Sequence, residues 1–314
     1  MKDGMLRIPC GAVRQHPWRY LFLFIVIYFG SIGITIFLAP MVQKLLWIYH
    51  FSNPSPWTNY LVRKPFGKIF DRTCWIPLFF GIFYLLKKTR LLSLRRLGIC
   101  WKYRGQWLIF FVLGALLSLV ICLAQLATTQ WTFGEKSAAS ILAKAVGSAF
   151  LVSTLEEIVF RALIPRLIYN AAGAIFALII SSAFFAHVHF KIPSDVGNFY
   201  GASISISQSS SVGLAYLTSI GASFRCIPYF SLLALGGLLV MLNYRFSNLM
   251  ASMGFHCGLV FILLLYRGAI HITADSTSKF LGSNQLIDSP LALLLLWALF
   301  FYQCSQYFRQ CSKI

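Results

Sequence analysis

The chain has 314 residues, of which 58% are hydrophobic and 11% charged, and its mean hydropathy is +0.74. A water-soluble domain carries about a quarter charged residues, so this composition excludes one and indicates that lipid surrounds most of the chain. The 27 Lys and Arg outnumber the 8 Asp and Glu, but they lie mostly between apolar runs. We interpret them as topology signals and contacts to anionic lipid headgroups, and we expect no nucleic-acid partner.

A membrane-spanning helix needs about 20 mostly apolar residues. The first such run, residues 20–38, follows a basic segment and is too long for the apolar part of a signal peptide, so we interpret it as a retained anchor. Further apolar runs cover residues 74–86, 107–127, 138–155, 171–190, 227–244, 249–266 and 290–301. The pattern predicts an all-α, polytopic transmembrane helical bundle with about seven or eight spanning helices, forming a single integral membrane domain over residues 1–314.

Three stretches between these runs are more polar and cover residues 41–72, 87–105 and 191–225. The first contains several prolines and is expected to form a loop or an interfacial segment. The eight cysteines include no C-x-x-C pair and several lie inside apolar runs. This spacing argues against a disulfide framework and against a thiolate zinc site.

Two acids, Glu156 and Glu157, lie side by side in an apolar helical run. Ionisable groups are expensive inside a bilayer, so their default interpretation is functional. Glu157 and Arg161 are four residues apart on one helix face, in the order that favours an ion pair. Glu156 points about 100° away and has no such local partner. A carboxylate in apolar surroundings binds a proton readily, which suits a general base, so we predict that role for Glu156 and a structural role for Glu157.

Three of the six histidines, His187, His189 and His256, lie in apolar runs. One such histidine alone is usually a packing residue, but three together with a carboxylate pair indicate a hydrolytic site. If the chain turns near residues 170–173, Glu156 and His189 differ in depth by about 5 Å, which tilt and side-chain reach can close. His187 and His189 are about 200° apart around a helix, so we expect only one of them to face the site.

The ordered set Glu156-Glu157-x-x-x-Arg161, then Phe185-x-x-x-His189, then His256 resembles the three motifs of the CAAX-processing and bacteriocin-processing (CPBP) endopeptidases, with a core region at residues 138–261. The resemblance is to a member of prokaryotic type and implies a helical-bundle hydrolase with a cavity in the membrane.

Carried over to this chain, the resemblance makes Glu156 the water-activating base, while Glu157 and Arg161 hold the site and His189 and His256 line it. The string Ala186-His187-Val188-His189 also resembles the A-H-x-H string of the CAAX prenyl-protein peptidases, which makes His187 the alternative catalytic histidine. We prefer His189 because Phe185 precedes it by four residues. The family often has Asn four residues after the last His, a plausible oxyanion donor, and this chain has Val260 there.

The resulting hypothesis is an intramembrane glutamic endopeptidase without a cofactor, acting on a membrane-associated protein or peptide in the bacterial inner membrane. A metalloprotease stays open as an alternative because the same Glu and His residues can bind a divalent metal such as zinc. A non-catalytic scaffold or immunity-type protein of the same fold, and a proton-coupled transporter, are the alternatives from other classes. For the acid pair itself, the alternative is a position at a helix end near the headgroups, with Arg161 snorkelling.

Overall fold

The computed structural model describes residues 16–189, 196–223, 226–272, 281 and 287–312 of the chain. Its helices are α1 Pro17–Ser52, α2 Pro56–Val62, α3 Phe66–Lys88, α4 Leu94–Leu97, α5 Arg104–Thr128, α6 Ala138–Glu157, α7 Ile164–Ala172, α8 Ala174–His187, α9 Ile206–Ser223, α10 Ile227–Phe246, α11 Met250–Ala269 and α12 Pro290–Cys311. A 3₁₀ turn covers Trp101–Tyr103, and a π-helical turn, Ile158–Leu163, joins α6 to α7. Two short strands, β1 Trp131–Phe133 and β2 Ile270–Ile272, pair antiparallel with Thr132 opposite His271.

Among the described residues, seven helical segments are long and apolar enough to cross a membrane. They are Pro17–Ser52, Phe66–Lys88, Trp101–Thr128, Ala138–Ala172, Ile227–Phe246, Met250–Ala269 and Pro290–Cys311. Helix α8 is a shorter apolar helix. The predicted all-α bundle with seven or eight spanning helices is therefore confirmed, and the chain is an integral, multi-pass membrane protein.

The loop predicted over residues 41–72 is wrong for most of that stretch, which is helical, while the alternative of an interfacial segment stays a prediction. Helix α1 continues through Pro40 to Ser52, and proline is tolerated inside transmembrane helices. The next helix, α2, begins after Ser55, whose side chain and that of Thr58 cap each other's backbone N–H groups. Pro56 does not mark a loop, because it occupies the first helical turn, where its missing N–H costs nothing.

The chain divides into two compact units. The smaller unit contains residues 18–89 and 187–224, with α1, α2, α3 and α9. Within it, the start of α3 is bound to the segment before α9, because Phe66 N–H donates to the Phe199 carbonyl and Gly67 N–H to the Gly197 carbonyl, both at 2.9 Å. The single integral membrane domain over residues 1–314 stays a prediction.

The larger unit contains residues 90–186 and the described residues after 225. Its helices α5 and α11 meet at backbone contact, through glycines that no other residue could replace without a shift. A Cβ atom added at Gly254 would collide with the Trp107 carbonyl, and one added at Gly258 with the Phe111 carbonyl. These two glycines form a G-x-x-x-G pair, the spacing that lets membrane helices approach closely. The pair brackets His256, so this contact fixes where α11 places the histidine.

Candidate active site

His256 lies between the two adjacent carboxylates at the C-terminal end of α6. Its Nδ1 is 3.1 Å from Oε1 of Glu157, and its Nε2 is 3.8 Å from Oε2 of Glu156. An ionised carboxylate only accepts hydrogen bonds, so Nδ1–H of His256 donates to Oε1 of Glu157, and Nε2 is the ring nitrogen on the side of Glu156. The two acids, adjacent in sequence, therefore contact opposite nitrogens of one ring that belongs to another helix.

Arg161 completes the buried part of the arrangement. Its Nε lies 3.5 Å from Oε1 of Glu157, and its guanidinium carbon lies 4.1 Å from the centroid of the Phe185 ring. The side chains of Glu157 and Arg161 are both fully buried, and the described residues offer no hydrogen-bond acceptor to Nη1 or Nη2. The guanidinium is therefore held by one carboxylate and by a cation–π contact with one aromatic face.

The two acids differ in their access to solvent. The side chain of Glu156 is 20% exposed, whereas that of Glu157 is completely buried. Glu157 thus contacts both Arg161 and His256 and ties α6, the π-helical turn and α11 together. Glu156 is therefore the partly exposed carboxylate of the pair, although its Oε2 atom is buried.

The π-helical turn follows from a proline. A proline ring clashes with the carbonyl four residues before it and offers that carbonyl no N–H, so a regular α-helix cannot run through Pro165 undisturbed. The backbone widens over Ile158–Leu163, where the Ile164 N–H donates to the carbonyl of Val159, five residues back. The π-helical turn departs from the regular α-helix that the sequence predicts for this stretch. The ion pair predicted between Glu157 and Arg161 is nevertheless present.

A second buried arginine anchors the other side of this segment. Arg166 is 2% exposed and donates hydrogen bonds to the carbonyls of Arg96 at 2.7 Å and of Leu97 at 3.3 Å, at the C-terminal end of α4. The next carbonyl, that of Gly98, accepts from Leu249 N–H at 3.1 Å, just before α11 begins. The short helix α4 therefore holds the starts of both α7 and α11. Sequence reasoning missed Arg166, although a charged residue beside Pro165 in an apolar run was the available signal.

The predicted histidines of the second motif belong to the smaller unit. His187 is buried and is the last residue of α8, and His189 is exposed in the turn that follows. Of the motif Phe185-x-x-x-His189, only Phe185 lies within the larger unit, where its ring is edge-on to His256 at 6.1 Å between centroids. The structure thus brings together Glu156, Glu157, Arg161 and His256. The approach of His187 or His189 to the carboxylates stays a prediction.

Two further expectations concern the oxyanion donor and a bound metal ion. Val260, at the place of the family's Asn, lies one turn after His256 and is partly buried. Within the described parts of the chain, no group of three or more His, Cys, Asp or Glu side chains is arranged to hold a metal ion.

Comparison with known proteins adds one match. A family model described as type II CAAX prenyl endopeptidase Rce1-like matches residues 138–262, nearly the same stretch as the predicted core region 138–261. No curated protein and no solved structure matches the chain. The match covers the helices that carry Glu156, Glu157, Arg161 and His256 in the order that the motifs require. Residues 138–262 of this chain are therefore similar to the Rce1-like type II CAAX prenyl endopeptidases.

Proposed function

We propose that this protein is an intramembrane endopeptidase that hydrolyses a peptide bond in a membrane-associated protein or peptide. The observation that carries the proposal is the position of His256 between a fully buried Glu157 and a partly exposed Glu156. Glu157 holds the histidine, and in the proposed mechanism Glu156 is the carboxylate that reacts. The match to an endopeptidase family supports the same class of reaction.

In the proposed reaction, the carboxylate of Glu156 takes a proton from a water molecule, whose oxygen attacks the carbonyl carbon of the substrate. The bond from carbon to nitrogen then breaks, and Glu156 returns the proton to the leaving amine. The 3.8 Å between Oε2 of Glu156 and Nε2 of His256 is too long for a direct hydrogen bond. Because Oε2 is buried, the reaction requires a small movement that admits one water molecule to both atoms. His256 would thus position the nucleophile.

Glu157 and Arg161 take structural roles in this scheme. Glu157 accepts the hydrogen bond from Nδ1–H of His256, which orients the ring and fixes its tautomer. Arg161 compensates the buried charge of Glu157. His189, or alternatively His187, would complete the site from the second motif, as the family resemblance implies.

The substrate class follows from the surroundings of the site. The carboxylate pair lies in a helical segment of 35 residues that is apolar enough to cross a membrane, so a substrate must be membrane-associated to reach it. The family's description names a CAAX prenyl endopeptidase, and a lipid-modified or membrane-anchored peptide fits the same location. We place the protein in the bacterial cell membrane, with its basic loops in contact with anionic lipids.

The direct test compares membrane peptides and proteins from cells that carry the wild type, Glu156→Gln or Glu135→Gln. Glu135 is an exposed acid in the segment before α6, and it controls for the loss of one carboxylate elsewhere in the chain. We expect a precursor to accumulate with Glu156→Gln and not with Glu135→Gln, at equal amounts of protein in the membrane. Equal processing by all three proteins would remove Glu156 from the mechanism.

A metalloprotease is the second candidate, because Oε2 of Glu156 and Nε2 of His256 are an oxygen and a nitrogen of the kind that bind zinc, 3.8 Å apart. The glutamic mechanism predicts that cleavage by the purified protein continues in excess chelator. Loss of cleavage in chelator, restored by added zinc, would favour the metal mechanism instead. Metal analysis of the same preparation distinguishes a bound ion from inhibition by the chelator itself.

A further inference from the structure

The carbonyl of Arg161 lies at the point where the helical hydrogen-bond pattern is interrupted. In a regular α-helix this carbonyl would accept from the N–H of residue 165, but Pro165 has none and its ring would crowd the carbonyl oxygen. The π-helical turn Ile158–Leu163 contains this residue. The Arg161 carbonyl therefore lacks the hydrogen bond that a regular α-helix would supply from the N–H four residues later.

A residue of another helix provides that restraint. Nδ2 of Asn243 on α10 donates a hydrogen bond to the Arg161 carbonyl at 3.1 Å. Only the amide nitrogen can donate to a carbonyl, so the chemistry fixes the orientation of the amide. Asn243 is 3% exposed and follows a continuous run of buried apolar residues, Leu238 to Leu242. A buried amide in such a place is costly unless it is paired.

The contacts of Arg161 carry this restraint to the reacting groups. The guanidinium of the same residue lies 3.5 Å from Glu157, and Glu157 lies 3.1 Å from His256. A shift of the Arg161 backbone would move the guanidinium relative to Glu157 and then alter how His256 is held. We propose that Asn243 is a positioning residue of the site, which holds the π-helical turn through the Arg161 carbonyl and so sets the position of Arg161 against Glu157. The kinetic consequence rests on the proposed function.

Three variants of the full-length protein test this role. Asn243→Leu removes the donor and keeps a similar volume. Asn243→Leu combined with Pro165→Ala supplies an N–H that can satisfy the Arg161 carbonyl in a regular α-helical turn. Tyr244→Phe is the matched control, because the Tyr244 hydroxyl also donates across helices to a backbone carbonyl, that of Ala174, at 3.4 Å.

In kinetics, Asn243→Leu is expected to lower kcat about tenfold, the factor that corresponds to one hydrogen bond, with KM within about twofold of the wild type. Tyr244→Phe should keep the wild-type kcat. The double variant should recover the unfolding temperature lost in Asn243→Leu but not its kcat, because the satisfied carbonyl is then part of a different turn. Recovery of both quantities would show that Asn243 merely satisfies a carbonyl and would overturn the positioning role.

A readout without a substrate separates this inference from the proposed function. In protein labelled with ¹⁵N-histidine, the ring signals of His256 can be assigned by their loss in His256→Gln. We expect them to shift in Asn243→Leu and in the double variant, and to stay unchanged in Tyr244→Phe. Unchanged signals in Asn243→Leu would refute the inference. If the wild type cleaves no substrate, the proposed function fails, while the ring signals still decide the role of Asn243.

Discussion

Replacing Glu157 by Gln is expected to destabilise the protein strongly, although the change is nearly isosteric. The carboxylate lies 3.5 Å from Arg161 and 3.1 Å from His256, and both acidic and basic side chains of the ion pair are fully buried. Removing one partner of a buried pair leaves an uncompensated charge and costs about 3–5 kcal/mol. That is a large part of the free energy of unfolding of a typical protein. We therefore expect a substantially lower yield of folded protein as well.

The assay is equilibrium unfolding of the purified full-length variants in mixed detergent micelles, with Glu156→Gln as the matched control. Glu156 is adjacent in sequence, but its side chain is 20% exposed and its contact to His256 is 3.8 Å long. Its replacement should change the free energy of unfolding by less than about 1 kcal/mol while abolishing cleavage. Equal stability losses for the two variants, or wild-type stability for Glu157→Gln, would refute the division into a structural and a reacting carboxylate.

Two further predictions concern α11. Gly258→Ala should lower the free energy of unfolding by about 1–3 kcal/mol, because the added Cβ collides with the Phe111 carbonyl on α5. The control is Gly147→Ala, which should be neutral or slightly stabilising in the same assay because the space around its Cβ position is open. Val260→Asn would supply an amide one turn after His256, and if that amide reaches the oxyanion, kcat should rise by up to about 10²-fold in a single-turnover cleavage assay. An unchanged kcat would show that another donor already serves the oxyanion.

The ionisable residues of the site could be predicted from the sequence, because they lie within apolar runs. An adjacent acid pair, an arginine four residues later and a histidine in a later span are conspicuous among apolar residues, because each is expensive in lipid. The structure brings Glu156, Glu157, Arg161 and His256 together. Helix number was predictable for the same reason, since span length is set by bilayer thickness.

The parts that could not be predicted depend on contacts between distant segments. The prolines of residues 41–72 favour a loop in the sequence, yet Pro56 lies in the first turn of a helix. The hydrogen bond from Asn243 to Arg161 joins residues 82 positions apart, and neither residue type indicates its partner. The effect of Pro165 on the preceding turn was in principle readable, since the missing N–H is a property of the residue itself. The sequence did not indicate that Asn243 would donate to the Arg161 carbonyl in place of the missing N–H.

The depth and rotation of the reacting groups are set by backbone contacts rather than by the ionisable residues themselves. His256 lies within a G-x-x-x-G pair that brings α11 against the backbone of α5, and Leu249, just before α11, is held by the Gly98 carbonyl. Glu157 and Arg161 are placed by a π-helical turn that Pro165 opens and Asn243 restrains. A bilayer provides little hydrophobic force between helices, so close packing and interhelical hydrogen bonds must provide this accuracy. Substitutions at these non-ionisable residues should therefore slow the proposed hydrolysis, because they move the side chains of Glu156, Glu157, Arg161 and His256 without replacing any of them.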